Sequence, residues 1–128
     1  MATLLAVGCT TDPPAAPTSD QLAGAWRLVS MRPAGQGDVP APANASYSVT
    51  FADGRVSIRA DCNTCNGVFS LAGQTLTAGP TLICTRAACP TMTFENTFTQ
   101  IVVGDSTVAL NGVNLSLTSA RGIVRFTR

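Results

Sequence analysis

Asp61–Pro90, DCNTCNGVFSLAGQTLTAGPTLICTRAACP, is the stretch from which the rest of the chain is read. It holds four of the five cysteines in two close pairs, Cys62 with Cys65 and Cys84 with Cys89. Between the pairs, Val68-Phe69-Ser70-Leu71 runs to Ala72-Gly73-Gln74 and returns through Thr75-Leu76-Thr77-Ala78. Alternating apolar residues mark half-buried strands, and glycine accepts the positive φ of a tight turn, so the segment reads as a β-hairpin. Phe69 and Leu71 share a face, opposite Leu76 and Ala78 on the returning strand.

The cysteines admit three readings. Disulfides fit an exported domain with an even number of clustered cysteines. Paired positions of an antiparallel hairpin have a nearly constant sum of residue numbers. Nested bridges, Cys62–Cys89 and Cys65–Cys84, meet that condition; crossed bridges do not, and local ones leave the hairpin base unstapled. The outer bridge closes a loop of about 28 residues, worth about 3.5 kcal/mol in the chain-entropy account. Zinc is the second reading, because the chain opens like a ribbon knuckle, although the Cys84–Cys89 spacing is too long for the second knuckle. The third is redox catalysis at Cys62-Asn63-Thr64-Cys65. Catalytic pairs of this kind sit at a helix N-terminus, which lowers the thiol pKa, whereas this one follows a strand.

Working outward toward the N-terminus, Tyr47, Val49 and Phe51 alternate with Ser48 and Thr50, and Ala52-Asp53-Gly54 supplies a turn. On the return, Val56, Ile58, Ala60 and Cys62 fall on one face, which directs Cys62 toward the core. Arg32–Ser46 reads as a loop rich in Pro, Gly and Ala, and Leu22–Met31, with the single Trp26, as the first strand. Beyond Pro90, Phe94, Phe98, Ile101 and Val102 mark one face of an amphipathic helix. Thr91 or Thr93 caps it, Glu95 suits its first turn, and Gly104 stops it. Val108 to Leu117 reads as a hairpin turning at Asn111-Gly112, which pairs Leu110 with Val113 and Val108 with Leu115. Ile123 to Phe126 is the last strand. The expected fold is α+β: about eight short antiparallel strands in a curled sheet, with one amphipathic helix inserted.

At 128 residues the chain has room for one domain and a tail. The net charge of +1 argues against nucleic acid or another strongly charged partner. All eight basic residues are Arg, and there is no His, which removes the usual general base, metal ligand and pH switch. No metal and no cofactor is expected. Met1–Cys9 is apolar and ends Ala6-Val7-Gly8-Cys9, like the lipobox of bacterial lipoproteins, with Cys9 as the acylated residue. It lacks a basic n-region and a long h-region, as a remnant of a longer signal peptide would. Residues 10–20, rich in Pro, Ala and Thr, form a linker, and residues 21–128 the domain. Nothing else is long enough to span a bilayer.

Trp26 in GAWRLVS, the FADGRV turn, DCNTCNGVFSLAGQTL, CTRAACP and FENTF together resemble the META domain, the HslJ-like family of bacterial envelope and heat-shock proteins. The resemblance covers about Gln21 to Arg128. It implies a small antiparallel β domain with a helix, exported and often lipid-anchored, and it brings no catalytic residue. Cys65 and Cys84 resemble an additional pair carried by one branch of the family.

Among candidate contacts, Asn63 and Asn66 flank the CxxC and suit hydrogen bonding to turn backbone, with ligand contact as the rival reading. Arg86 and Glu95 are expected to pair across the turn into the helix, with an anion site at Arg86 as the alternative. Trp26 reads as core before binding platform, and Asp61 as a solvated strand-face charge. The expected protein is a non-enzymatic module of the bacterial cell envelope, lipid-anchored and facing the periplasm from the outer membrane, or else periplasmic. It acts as a monomer in binding or stress protection, on a small ligand or an envelope protein. A thiol oxidoreductase using Cys62 and Cys65, and an inhibitor of an exported hydrolase, are the alternatives.

Overall fold

A computed structural model describes residues 16–128. Cys9 and the lipobox-like segment lie outside the described residues. The elements in order are α1 (Ser19–Leu22), β1 (Gly24–Pro33), β2 (Val39–Pro40), β3 (Tyr47–Ala52), β4 (Arg55–Ala60), β5 (Asn63–Ala72), β6 (Thr75–Cys84), α2 (Met92–Val102), β7 (Gly104–Asn111), β8 (Asn114–Ser119) and β9 (Gly122–Thr127). Every strand pairing is antiparallel, in the order β2-β1-β3-β4-β5-β6-β7-β8-β9, and β1 also pairs with β9. Eight strands therefore close into a barrel, and β2 lies outside it on β1. The expected α+β architecture with a curled sheet is the one observed.

Closure depends on β1 serving two neighbours. Its first half, Gly24–Arg27, pairs with β3, while Arg27–Pro33 pairs with β9 across a bulge between Leu28 and Ser30. The extra residue flips the inward face: Trp26 and Leu28 point in before it, Met31 and Pro33 after it. Val29, an apolar residue at the bulge, is left outside at 46% exposure. Gly122, opposite Pro33, has φ +141, and a Cβ there would press on the Arg32 carbonyl oxygen and Pro33. Glycine at this point lets the two strands meet.

The barrel interior is filled by alternate residues of each strand, including Val49, Phe51, Val56, Ile58, Leu76, Leu115, Leu117 and Val124. Phe51 and Phe69 stack edge to face inside it, with ring centroids 4.9 Å apart. Phe98, Ile101 and Val102 of α2 join this core, and Phe98 lies edge-on to Tyr47 and Phe126. The other end is closed by α1, which the sequence reading placed in the linker and first strand. Thr18 and Gln21 form a reciprocal capping box there, and Leu22 is fully buried beneath the Trp26 indole, whose Nε1 donates to its carbonyl at 2.9 Å.

Two registers differ from expectation. The β4–β5 hairpin pairs Ala60 with Asn63, so Asp61 and Cys62 are its two-residue turn. Asp61 takes φ 59, the inward alternation ends at Ala60, and Cys62 is exposed rather than core-facing. The β7–β8 hairpin pairs Asn111 with Asn114, Leu110 with Leu115 and Val108 with Leu117. Its turn is Gly112-Val113, with positive φ at Gly112 and not at Val113, as a type II′ turn requires. The register shift is two residues, an even number, so the expected inward face survives.

Candidate functional site

The segment from Asp61 to Glu95 forms a clasp between the barrel and α2. Cys62 is bonded to Cys89 and Cys65 to Cys84, the nested connectivity. Cys65 and Cys84 are direct partners in the β5–β6 register, and Cys65 is buried in the core. Each cysteine of Cys62-Asn63-Thr64-Cys65 is thus bonded to a different distant partner. With all four sulfurs in bridges, no thiolate is left for a zinc site or a reduced dithiol.

Asn63 is the hub of the clasp and is 1% exposed. Its Nδ2 donates to the Ala87 carbonyl and to Glu95 Oε2, both at 2.9 Å, with Cys89 Sγ at 3.2 Å. Its Oδ1 accepts from Ala87 N at 2.7 Å and Thr85 Oγ1 at 2.9 Å. Both donors and both acceptor positions of the amide are used, so it holds the 85–89 loop and α2 at once. Asn66, by contrast, is exposed on the outer face of β5.

A second tie, which the sequence reading missed, joins Asp61, Thr91 and Tyr47. Asp61 Oδ2 accepts from Thr91 N at 3.0 Å and from Thr91 Oγ1 at 2.6 Å. Thr91 is the N-cap of α2, but its hydroxyl makes no cap bond, and the carboxylate of Asp61 sits at the helix start instead. Asp61 is therefore a helix anchor and not a solvated strand-face charge. The Tyr47 hydroxyl is 2.6 Å from Thr91 Oγ1. Burial pushes the Tyr47 phenol above its ordinary value; the bond to Thr91 opposes this, and the nearby Asp61 and Glu95 charges add to it.

Glu95 and Arg86 do not pair. Glu95 turns inward to Asn63, while Arg86 is exposed, and the ion pairs among the described residues are Arg32–Asp38 and Arg125–Asp38. Glu95 is 9% exposed, and its Oε1 is buried with no hydrogen-bond partner. The two residues meet in another way, as lining of one cleft of about 1010 Å³ between α2 and the cysteine ends of β5 and β6. Asn63, Thr85, Asn96 and Gln100 also line it. Trp26 lies elsewhere, fully buried at the α1 end, with the Arg128 guanidinium 4.0 Å above its ring. It is core, not a binding platform.

The family model of the META domain matches residues 20–128. The chain belongs to the META domain family. This META domain is similar to an NMR structure of a protein from Burkholderia xenovorans, at TM-score 0.72 and 20% identity, covering 100% of this chain and 98% of that one. A second NMR structure matches at TM-score 0.66 and 23% identity, covering 87% of this chain and 94% of that one. At these identities the likeness concerns the fold. No curated protein matches the chain.

Proposed function

We propose that this META domain protein is a non-enzymatic binding or stress-protection module of the bacterial cell envelope, tethered through an acylated Cys9 and the linker over residues 10–20. The cleft beside α2 carries the reading. Its volume suits a small molecule, and it offers a few polar groups to orient one. Glu95 Oε1 is a buried acceptor without a donor, a condition that costs about 1–3 kcal/mol and that a ligand N–H would relieve. Arg86, free of any carboxylate partner among the described residues, stands ready for an anionic group on the same ligand. Amine plus carboxylate describes an amino acid or a short peptide.

Two disulfides support an oxidising compartment such as the periplasm. Against catalysis stand the lack of His and the engagement of Asp61 and Glu95 by Thr91 and Asn63. The thiol-oxidoreductase alternative needs Cys62 and Cys65 to share a bridge, and their separate partners weigh against it.

Intact-mass spectrometry of protein from the membrane fraction is expected to show an acyl group on Cys9 and the loss of four hydrogens to the two bridges. Amino acids and short peptides are expected to raise the thermal midpoint of wild type, but not of Arg86→Ser or Glu95→Gln. Insulin reduction that disappears in Cys62→Ser would overturn the reading in favour of the oxidoreductase.

A further inference from the structure

The eight arginines divide sharply by what they do. Arg32 and Arg125 both reach Asp38, at 3.0 Å each. Arg121 donates to the Ile101 and Asp105 carbonyls, and Arg128 to those of Ala23 and Gln21 while covering Trp26. Arg27, Arg55, Arg59 and Arg86 have no carboxylate within ion-pair reach among the described residues, and of these Arg59 also donates through Nε to the Asp61 carbonyl at 2.6 Å, which leaves its charge unbalanced. Three of these four stand exposed on one wall of the barrel, the outer face of β1, β3 and β4.

The strand register places them. Arg27 pairs with Ser48, and Ser48 with Arg59, so the two arginines flank one serine in a row across three strands. Two strand spacings put their Cα atoms about 10 Å apart. Arg55 lies on the same face of β4 as Arg59, four residues away, or about 13 Å. Between them the wall carries the small hydroxyl residues Ser48, Thr50 and Ser57. No acid projects from these strand faces. Asp53 sits at the edge, in the β3–β4 turn, and the Asp61 carboxylate at the other end is taken by Thr91. A chain of net charge +1 thus concentrates three uncompensated cations on one wall.

Beside Arg27 the wall opens into a recess of about 540 Å³. Leu28, Val29, Ala41, Pro42 and Ala43 line it, and Val29 is 46% exposed. The recess also carries Ser46 and Ser48, so a cation at its rim faces both hydroxyl and apolar groups, which suits a phosphate attached to hydrocarbon.

We propose that the outer face of β1, β3 and β4 docks on an anionic phospholipid surface, with Arg27, Arg55 and Arg59 over the phosphates and Val29 with the Ala41–Ala43 segment at the interface. The wall would then hold the barrel flat against the membrane and leave the cleft beside α2 accessible. Docking of this kind needs no acyl chain, so it stands apart from the proposal that Cys9 anchors the protein. Each arginine at such a surface is worth about a five-fold gain in affinity, screened by salt.

The test uses the full chain carrying Cys9→Ser, so that no lipid anchor contributes, and cosedimentation with vesicles of phosphatidylcholine alone or mixed with phosphatidylglycerol. Binding is expected only to the mixed vesicles and is expected to fall as salt rises. The Arg27→Ser/Arg59→Ser double variant should lose roughly 25-fold in affinity. Arg32→Ser/Arg125→Ser makes the same change in net charge on the β1–β9 side beyond the bulge, where both arginines face Asp38, and should stay within about two-fold of wild type. Equal losses in the two doubles would reduce the effect to net charge and overturn the proposal. So would failure to bind the mixed vesicles, equal binding to phosphatidylcholine alone, or capture by soluble polyphosphate without vesicle binding.

Discussion

Asn63 and Asn66 stand three residues apart in one motif, yet they contribute to the protein in different ways. Asn63→Ala strands the Thr85 hydroxyl, the Ala87 backbone and Glu95 Oε2 in a buried place, and is expected to cost about 3 kcal/mol. Asn66→Ala, on the exposed face, is expected to stay within about 0.5 kcal/mol. Urea midpoints of the two variants provide the check, and equal losses would refute the hub. The single tyrosine offers a spectroscopic test of the other tie. Its raised pKa means that the folded state holds the phenol proton more tightly. That contribution to stability is complete below the ordinary value near 10.0 and is lost as pH rises through the higher folded value. Absorbance titration is expected to place the Tyr47 midpoint above that of the unfolded chain, and Tyr47→Phe should lack this alkaline loss of stability.

At the scale of elements, α2 is held by the bridge from Cys62 to Cys89 and by the bonds of Asn63 and Asp61, while the β5–β6 base is held by Cys65–Cys84. Replacing Cys62 and Cys89 together by Ala, or Cys65 and Cys84 together, is expected to cost about 2.5 kcal/mol in each case, because the bridges are nested and with one intact the other closes a ring of only about ten residues. Hydrogen exchange should separate them, with the first pair exposing α2 amides and the second leaving them protected. Three hairpin turns were legible to within a residue because each rests on a local preference, with Asp53-Gly54, Gly73 and Gly112 all at positive φ, whereas the Asp61-Cys62 turn was not. The β7–β8 register was legible only to within a shift of two, because parity cannot choose between two turns that present the same face.

The whole molecule depends on closure between the first and last strands. Gly122→Ala would push a Cβ against the Arg32 carbonyl and Pro33 at that seam, and a loss of about 2 kcal/mol is expected. Gly37→Ala, with open space around it and no positive φ, should stay within about 0.5 kcal/mol. Thermal unfolding of the pair tests whether the seam is as tight as its geometry. At this scale also the charges acquire meaning. Composition records eight arginines and a near-neutral total, whereas the barrel sorts them into structural ties and an open basic wall.

Local chemistry determined much of this protein from the sequence alone. Period-two patterns set the strands and their inward faces, the spacing of Phe94, Phe98, Ile101 and Val102 set α2, and hairpin arithmetic selected the nested bridges. The tertiary structure decided what local patterns cannot carry. Cys62 leaves the core because Asp61 turns the chain one residue before parity would bring the cysteine inward. Glu95 leaves Arg86 because the buried amide of Asn63 lies closer to hand inside the clasp. The closure of β1 on β9, the wall of arginines and the cleft beside α2 all join residues far apart in the chain, and only the folded barrel brings them within reach.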